Sequence, residues 1–470
     1  KHYEEALRVD PQFSYVLNKM GRILASQGKF DEAVKRYRDA LAINPDNQDV
    51  HYLLARELGA QGKTDEAVAE LNEALRLNPD DARAHNDIGL VLMQIGKPEE
   101  AIRHFQEALR IAPDFTLALN NWGNALAGLG RIDEAEERYR KALEVRPSDE
   151  YAYYNLAGLA ERRQQYDTAI ELYHKAMKNS PSNSNIPNDL GLLYANLGKS
   201  EEAIKWYQYA LTVDPRNPTV YNNIGYEAYK QGHYDEAIKQ YEKALAIMPD
   251  YVLVLNNLGT ALADQGKRDE AIARYEEALR VRPNDGNIHN SLGYQYACKG
   301  DAENALKHYQ EAVRLIPRFP LAYNNIGNLL AGQDKLDEAI ANYRKAIEIH
   351  PREPYGHWNI ANALMKKGQM EEAIAEYALA LEYAPENADF ANDLGNALVR
   401  VGRIDEGVRY YVRATELDPK HVSAHCNLGA IYAAAGRNEQ AATHYRHALA
   451  ANPQAEAARK GLEKLGFPAQ

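Results

Sequence analysis

Residues Tyr221–Pro249 read YNNIGYEAYKQGHYDEAIKQYEKALAIMP. Apolar residues recur at helical spacing on both sides of Gln231-Gly232-His233. Gly232 suits the left-handed residue just past a helix end. Asp235-Glu236 suit a helix start, where a carboxylate caps the chain and meets the positive end of the dipole. Pro249 stops the second run. The stretch therefore predicts two helices joined by a tight turn.

The pattern continues in both directions. Prolines stand at Pro11, Pro45, Pro79 and every 34 residues to Pro453, placing 14 of the 20 prolines on one lattice. A fixed period of this length marks a repeat architecture. With each repeat begun three residues after a proline, residues 14–455 hold thirteen complete repeats. Residues 1–13 are read as the second half of a truncated repeat, because Tyr3, Ala6 and Pro11 occupy positions 24, 27 and 32. That start predicts a fragment or processed product, which leaves an upstream anchor or catalytic domain open. Residues 456–470, with Ala458, Leu462 and Leu465 on one helical face, are read as a C-terminal capping helix and tail.

Other positions are equally regular. Position 8 is Gly or Ala in every repeat, position 20 is Ala except for Gly407, and position 27 is always Ala. Position 24 is Tyr in eleven repeats and position 15 is Gly in eleven, with Gln164 and Asp334 departing. Small residues at 8, 20 and 27 let two helices approach, and the Tyr fills the space beside them. The fold class expected is all-α: a right-handed superhelical solenoid of 34-residue helix-turn-helix hairpins. Pro187 and the stretch Lys178–Asp189 predict a shortened first helix and a looser hairpin contact near Ser180.

Composition bounds the function. The chain has 470 residues, 45% apolar and 26% charged, which excludes wholesale disorder. Net charge is -12, which argues against nucleic acid as a partner. No apolar run is long enough to span a bilayer, so no direct membrane insertion of this fragment is expected. Two cysteines, Cys298 and Cys426, exclude a disulfide framework. The cytoplasm is the first expectation for compartment, with a membrane-anchored parent left open.

The pattern resembles the tetratricopeptide repeat (TPR). The family signature appears as Tyr221, Ile224-Gly225, Ala237, Tyr241, Ala244 and Pro249, with Ala228 departing where the signature has Tyr. In that family the first helix of each repeat lines a concave wall at positions 2, 5, 6, 9, 12 and 13. Position 6 is Asn at Asn121, Asn155, Asn223, Asn257, Asn325, Asn359 and Asn427, and position 9 adds Asn124, Asn328, Asn362 and Asn396. Asn is a mediocre helix former, but its amide donates and accepts as a peptide bond does. The position-6 run resembles the asparagine ladder in the repeat region of O-linked N-acetylglucosamine transferase, so it is assigned to peptide binding. Position 5 is Asn in nine repeats, and bonding between neighbouring helices is expected there. Tyr151, Tyr226, Tyr294, Tyr355 and Trp358 share the wall, either as anchors for a bound segment or as packing between first helices. No repeat has Lys or Arg at position 5, unlike the clamp by which some relatives grip a chaperone's terminal carboxylate.

Other chemistry reads weakly. The Gly-Lys pairs at Gly62 and Gly198 lack the earlier glycine of a phosphate-binding loop. Acidic pairs such as Asp133-Glu134 recur in phase at a helix start. Histidines at position 4 (His51, His85, His289, His357 and His425) read as packing residues. No metal, cofactor or catalytic residue is assigned. The expected function is a non-catalytic protein-protein interaction scaffold that binds an extended peptide in its groove. The alternative is the substrate-recognition arm of a larger enzyme, such as a glycosyltransferase. Weak self-association through open ends is a third expectation.

Overall fold

The structure is a computed structural model in which Tyr3, Asp10 and residues 13–468 are described. The reading of residues 1–13 lies outside the described residues apart from Tyr3, Asp10 and Phe13. The described residues form 27 helices and no strand. They divide into two compact halves, Lys1–Glu227 and Ala228–Gln470, each treated by itself below.

Helix boundaries follow the repeat. Second helices all begin at position 17, as in Ile132–Val145 and Leu336–Ile349. First helices begin at position 1, as in Thr116–Gly128, except in the sixth repeat. There Pro187 delays the start to Asn185, and the helix Asn185–Asn196 is 12 residues long instead of 13. The turn glycines at position 15 adopt φ of 73–85°. Gln164 and Asp334 are held in the same left-handed region, at 59° and 61°.

Twelve of the thirteen hairpins close on an aromatic ring at position 24, and Leu71 takes its place in the second. A Cβ on Gly123 would lie 2.3 Å from Tyr139 Cε1, so the glycine is what lets the ring reach the first helix. Ala135 and Ala142 are fully buried beside Tyr139. Within each half, the second helix of one hairpin packs on the first helix of the next. The terminal helix Glu456–Leu465 buries Ala458 and Leu462 against the last hairpin, around Tyr445.

The capping expected of position 18 does not occur. The N-cap of the second helix is position 16, and Arg131, Lys267 and Lys335 make no side-chain cap there. Position 18 sits one residue inside the helix, too late to cap it but still at the positive end of its dipole. Its carboxylate instead joins neighbouring hairpins: Asp133 accepts from Arg163, Asp235 from Gln265, Asp269 from Lys299 and Asp337 from Lys367. Side-chain caps are found on one second helix, where Asp301 at position 16 accepts from Asn304 N–H, and otherwise on first helices, from the residue just before position 1. Asn47, Asp81, Asp149, Asp285, Glu353, Asn387 and His421 all accept from backbone N–H groups there.

The position-4 histidines tie each hairpin to the chain before it. His51, His289, His357 and His425 bond through Nε2 to the carbonyl of the preceding lattice proline. Their Nδ1 atoms meet position 23: Glu70 and Glu376 in two hairpins, His308 and His444 in the others. His85 and His104 form a third histidine pair, 3.1 Å apart.

Candidate functional site

First helices of consecutive hairpins touch along Ala82–Gln94, Thr116–Gly128 and Glu150–Arg162 and again from Val252–Asp264 to Pro354–Lys367, and positions 5 and 6 meet between them. The most regular feature of this wall is a bond from position 6 to position 5 of the preceding repeat. Asn121 Nδ2 donates to Asn86 Oδ1 at 2.8 Å, Asn223 to Asn188 at 2.9 Å, Asn325 to Asn290 at 3.0 Å and Asn427 to Asn392 at 3.0 Å. Where position 5 is aromatic, position 6 of the next repeat is Asp and accepts: Tyr52 bonds Asp87 at 2.6 Å, Tyr154 bonds Asp189, and Trp358 Nε1 bonds Asp393 at 2.9 Å. The polarity of the step thus reverses with its residues, and in these seven steps each donor meets an acceptor.

Part of the asparagine ladder is therefore spent inside the protein. Each such bond uses one hydrogen of the position-6 amide, and Asn427 gives a second to Asn396 Oδ1 at 2.9 Å. Asn155 and Asn359 differ, since neither makes a side-chain hydrogen bond among the described residues. The position-5 oxygens before them, Asn120 Oδ1 and Asn324 Oδ1, are buried without a partner. Asn257 is half-buried on the same face.

Position 9 has its own bond. The Tyr139 hydroxyl donates to Asn124 Oδ1 at 2.8 Å, Tyr343 to Asn328 at 2.8 Å, Tyr377 to Asn362 at 2.6 Å and Tyr411 to Asn396 at 2.9 Å. Burial pushes these phenols up, to about 12 at Tyr343 and Tyr411, so the hydroxyls remain donors at any physiological pH. An oxygen held by the tyrosine leaves the amide hydrogens to point away from the ring. Nothing in the sequence predicted this bond, although its spacing of 15 residues repeats four times.

Between successive first helices lie clefts built from the same repeat positions. One joins Asn124 and Tyr139 to Asn155 and Arg162, with a volume of about 270 Å³. A second, about 420 Å³, joins Tyr294 and Tyr309 to Asn325 and Asn328. A third, about 770 Å³, joins Trp358 and Asn362 to Asn396 and Arg400. The first helices also carry large side chains in solvent. Tyr151 is 52% exposed, Tyr226 48%, Tyr294 53% and Tyr355 56%, with Leu117, Leu253 and Leu321 at equivalent places. Trp358 is half-buried, because its ring stacks on Phe390 and its N–H is held by Asp393.

A tetratricopeptide repeat model matches residues 52–114, 120–184, 256–320 and 392–456. The chain belongs to the tetratricopeptide repeat family. A second tetratricopeptide repeat model matches residues 182–250 and 218–284, and a TPR repeat model matches 21–56, 330–368 and 361–402. No curated protein matches. Among solved structures, the APC/C hetero-tetramer Cut9-Hcn1 is similar at 17% identity over 96% of both chains, with a TM-score of 0.47. Yeast Tom70 is similar at 20% identity over 85% of this chain and 97% of that one, TM-score 0.39. MamA is similar at 24% identity over 34% of this chain and 94% of that one, TM-score 0.32. TPR hairpins of this kind are protein-interaction scaffolds. No helix among the described residues is long and apolar enough to cross a membrane.

Proposed function

We propose that the chain is a non-catalytic scaffold that holds an extended protein segment against its first-helix walls. Asn side chains meet the backbone of the segment, and exposed tyrosines anchor its side chains. The observation that carries this reading is the exposure of Tyr151, Tyr226, Tyr294 and Tyr355 on the face that also holds the amide-lined clefts. Large aromatic rings left in solvent beside polar clefts are the usual anchors of an interface. Asn155 and Asn359 are the best backbone readers of the ladder, since the fold does not use their amides.

Magnitudes favour modest affinity. A hydrogen bond nets about 1 kcal/mol, and ordering a peptide costs about 1–2 kcal/mol per residue. Amides alone roughly break even, and anchors must supply the surplus, so binding of a single segment is expected near micromolar. Random peptides of about ten residues, displayed and selected on the full chain, are the test. Selected peptides should lose at least about tenfold in affinity for Tyr294→Ser/Tyr355→Ser or Tyr151→Ser chains, which should fold as the wild type does. Unchanged affinity in both would move the function off this wall.

A further inference from the structure

Building on the wall reading, we propose that the cleft between Pro354–Lys367 and Ala388–Arg400 takes the side-chain carboxylate of an Asp or Glu in the bound segment, with an apolar residue beside it. This cleft repeats the other two position for position, so its differences are informative. Position 13 is Gly128 and Arg162 in the first and Cys298 and Gly332 in the second. Here it is Lys366 and Arg400.

Both cations are exposed, and neither is ion-paired among the described residues. Their near neighbours do pair: Lys367 meets Asp337, and Arg403 meets Glu406 at 2.7 Å. The one carboxylate lining the cleft is Asp393, and its oxygens are taken. Trp358 Nε1 donates to it at 2.9 Å, Asn392 Nδ2 at 3.2 Å and Asn396 Nδ2 at 3.3 Å. The oxygens of Asn362 and Asn396 are likewise taken by Tyr377 and Tyr411. Asp393 still counts as one negative charge, so the lining holds two cations against one carboxylate whose hydrogen bonding is already supplied from within, and amide hydrogens complete the surface that faces a ligand.

A surface of donors calls for acceptors, and two neighbouring cations call for negative charge. A carboxylate supplies both, whereas a neutral amide would leave the charge unmatched. Trp358, Met365 and Val399 line the same cavity and offer apolar surface to the next side chain. The uncharged cleft around Tyr294 and Asn328 has no cation in its lining. An acidic residue of the segment is thus placed between Pro354–Lys367 and Ala388–Arg400 in the C-terminal half.

The selected peptides described above are the probe. They should carry Asp or Glu beside an apolar residue. Exchange of that acid for its amide should weaken binding about tenfold, equivalent to about 1.4 kcal/mol. Lys366→Gln/Arg400→Gln should weaken the acidic peptide similarly and leave the amide peptide unaffected. Added salt should erase the difference. Lys366→Glu/Arg400→Glu should turn the selection toward Lys or Arg. Peptides that need Tyr294 and Tyr355 but show no acidic preference, or ignore both Gln changes, overturn this inference and leave the wall reading standing. Peptides indifferent to the tyrosines as well, or a selection that yields none, overturn both.

Discussion

Exchanging one polar step of the wall for the other is the most direct test of how the first helices are joined. Asn325 donates to Asn290 at 3.0 Å, and Asn290 is 7% exposed. Asn325→Asp removes the donor and sets carboxylate oxygen against amide oxygen. Leaving a buried acceptor unpaired costs about 1–3 kcal/mol. Asn290→Tyr alone forces a larger ring into the step, at a similar cost. The double change recreates the Tyr52–Asp87 arrangement, whose hydroxyl-carboxylate bond is 2.6 Å long. It should recover about 1–2 kcal/mol of the summed loss. A repeat chain of this size does not unfold in two states, so a single melting midpoint is the wrong readout. Amide exchange in Gly286–Lys299 and Pro320–Gly332 reads the local opening free energy instead. Each single change should speed exchange there by about 5–150-fold, and the pair should restore much of it. Exchange in the double variant equal to the product of the singles would refute the pairing rule.

Two further outcomes follow from particular residues. Gln164 and Asp334 hold left-handed φ where eleven sister positions have Gly, so Gln164→Gly should stabilise its hairpin by about 1 kcal/mol, read as slower amide exchange in Glu150–Arg162 and Tyr166–Asn179. Burial, with a second histidine alongside, holds His104, His308 and His444 below the ordinary imidazole pKa. A group depressed on folding binds more protons when unfolded, so the stability it lends is present above the unfolded pKa of about 6.5 and is lost as pH falls from there through the lower folded value. The opening constant in these three hairpins, obtained from exchange rates divided by the intrinsic base-catalysed rate at each pH, should rise between about pH 7 and pH 5, and His104→Gln should flatten the rise in its own hairpin; an equal rise in that variant would exclude the histidine pair as the cause.

Most of the fold was legible because it is local. Helix periodicity, the proline lattice, the glycine turn and the small residues facing Tyr at position 24 all act within one hairpin. The same reasoning erred on Asp133 and its equivalents, since a carboxylate one residue inside a helix cannot reach back to cap it, and its real partner lies 30 residues ahead. The site was legible as a face but not as bonds. Asn121, Asn223, Asn325 and Asn427 were assigned to a ligand, yet each gives a hydrogen to the preceding helix. A trace of this was present in the sequence, where Asp at position 6 follows Tyr or Trp at position 5 three times.

The amino-acid sequence by itself determined the repeat, its helix limits and which residues share the wall, because these depend on spacing along one chain segment. Which side chains remain available to a partner was decided only by the tertiary structure. Hydrogen-bond partners 15, 30 and 35 residues apart meet only when helices stack at a particular angle, and the direction of each bond then settles which amide hydrogens are left facing out.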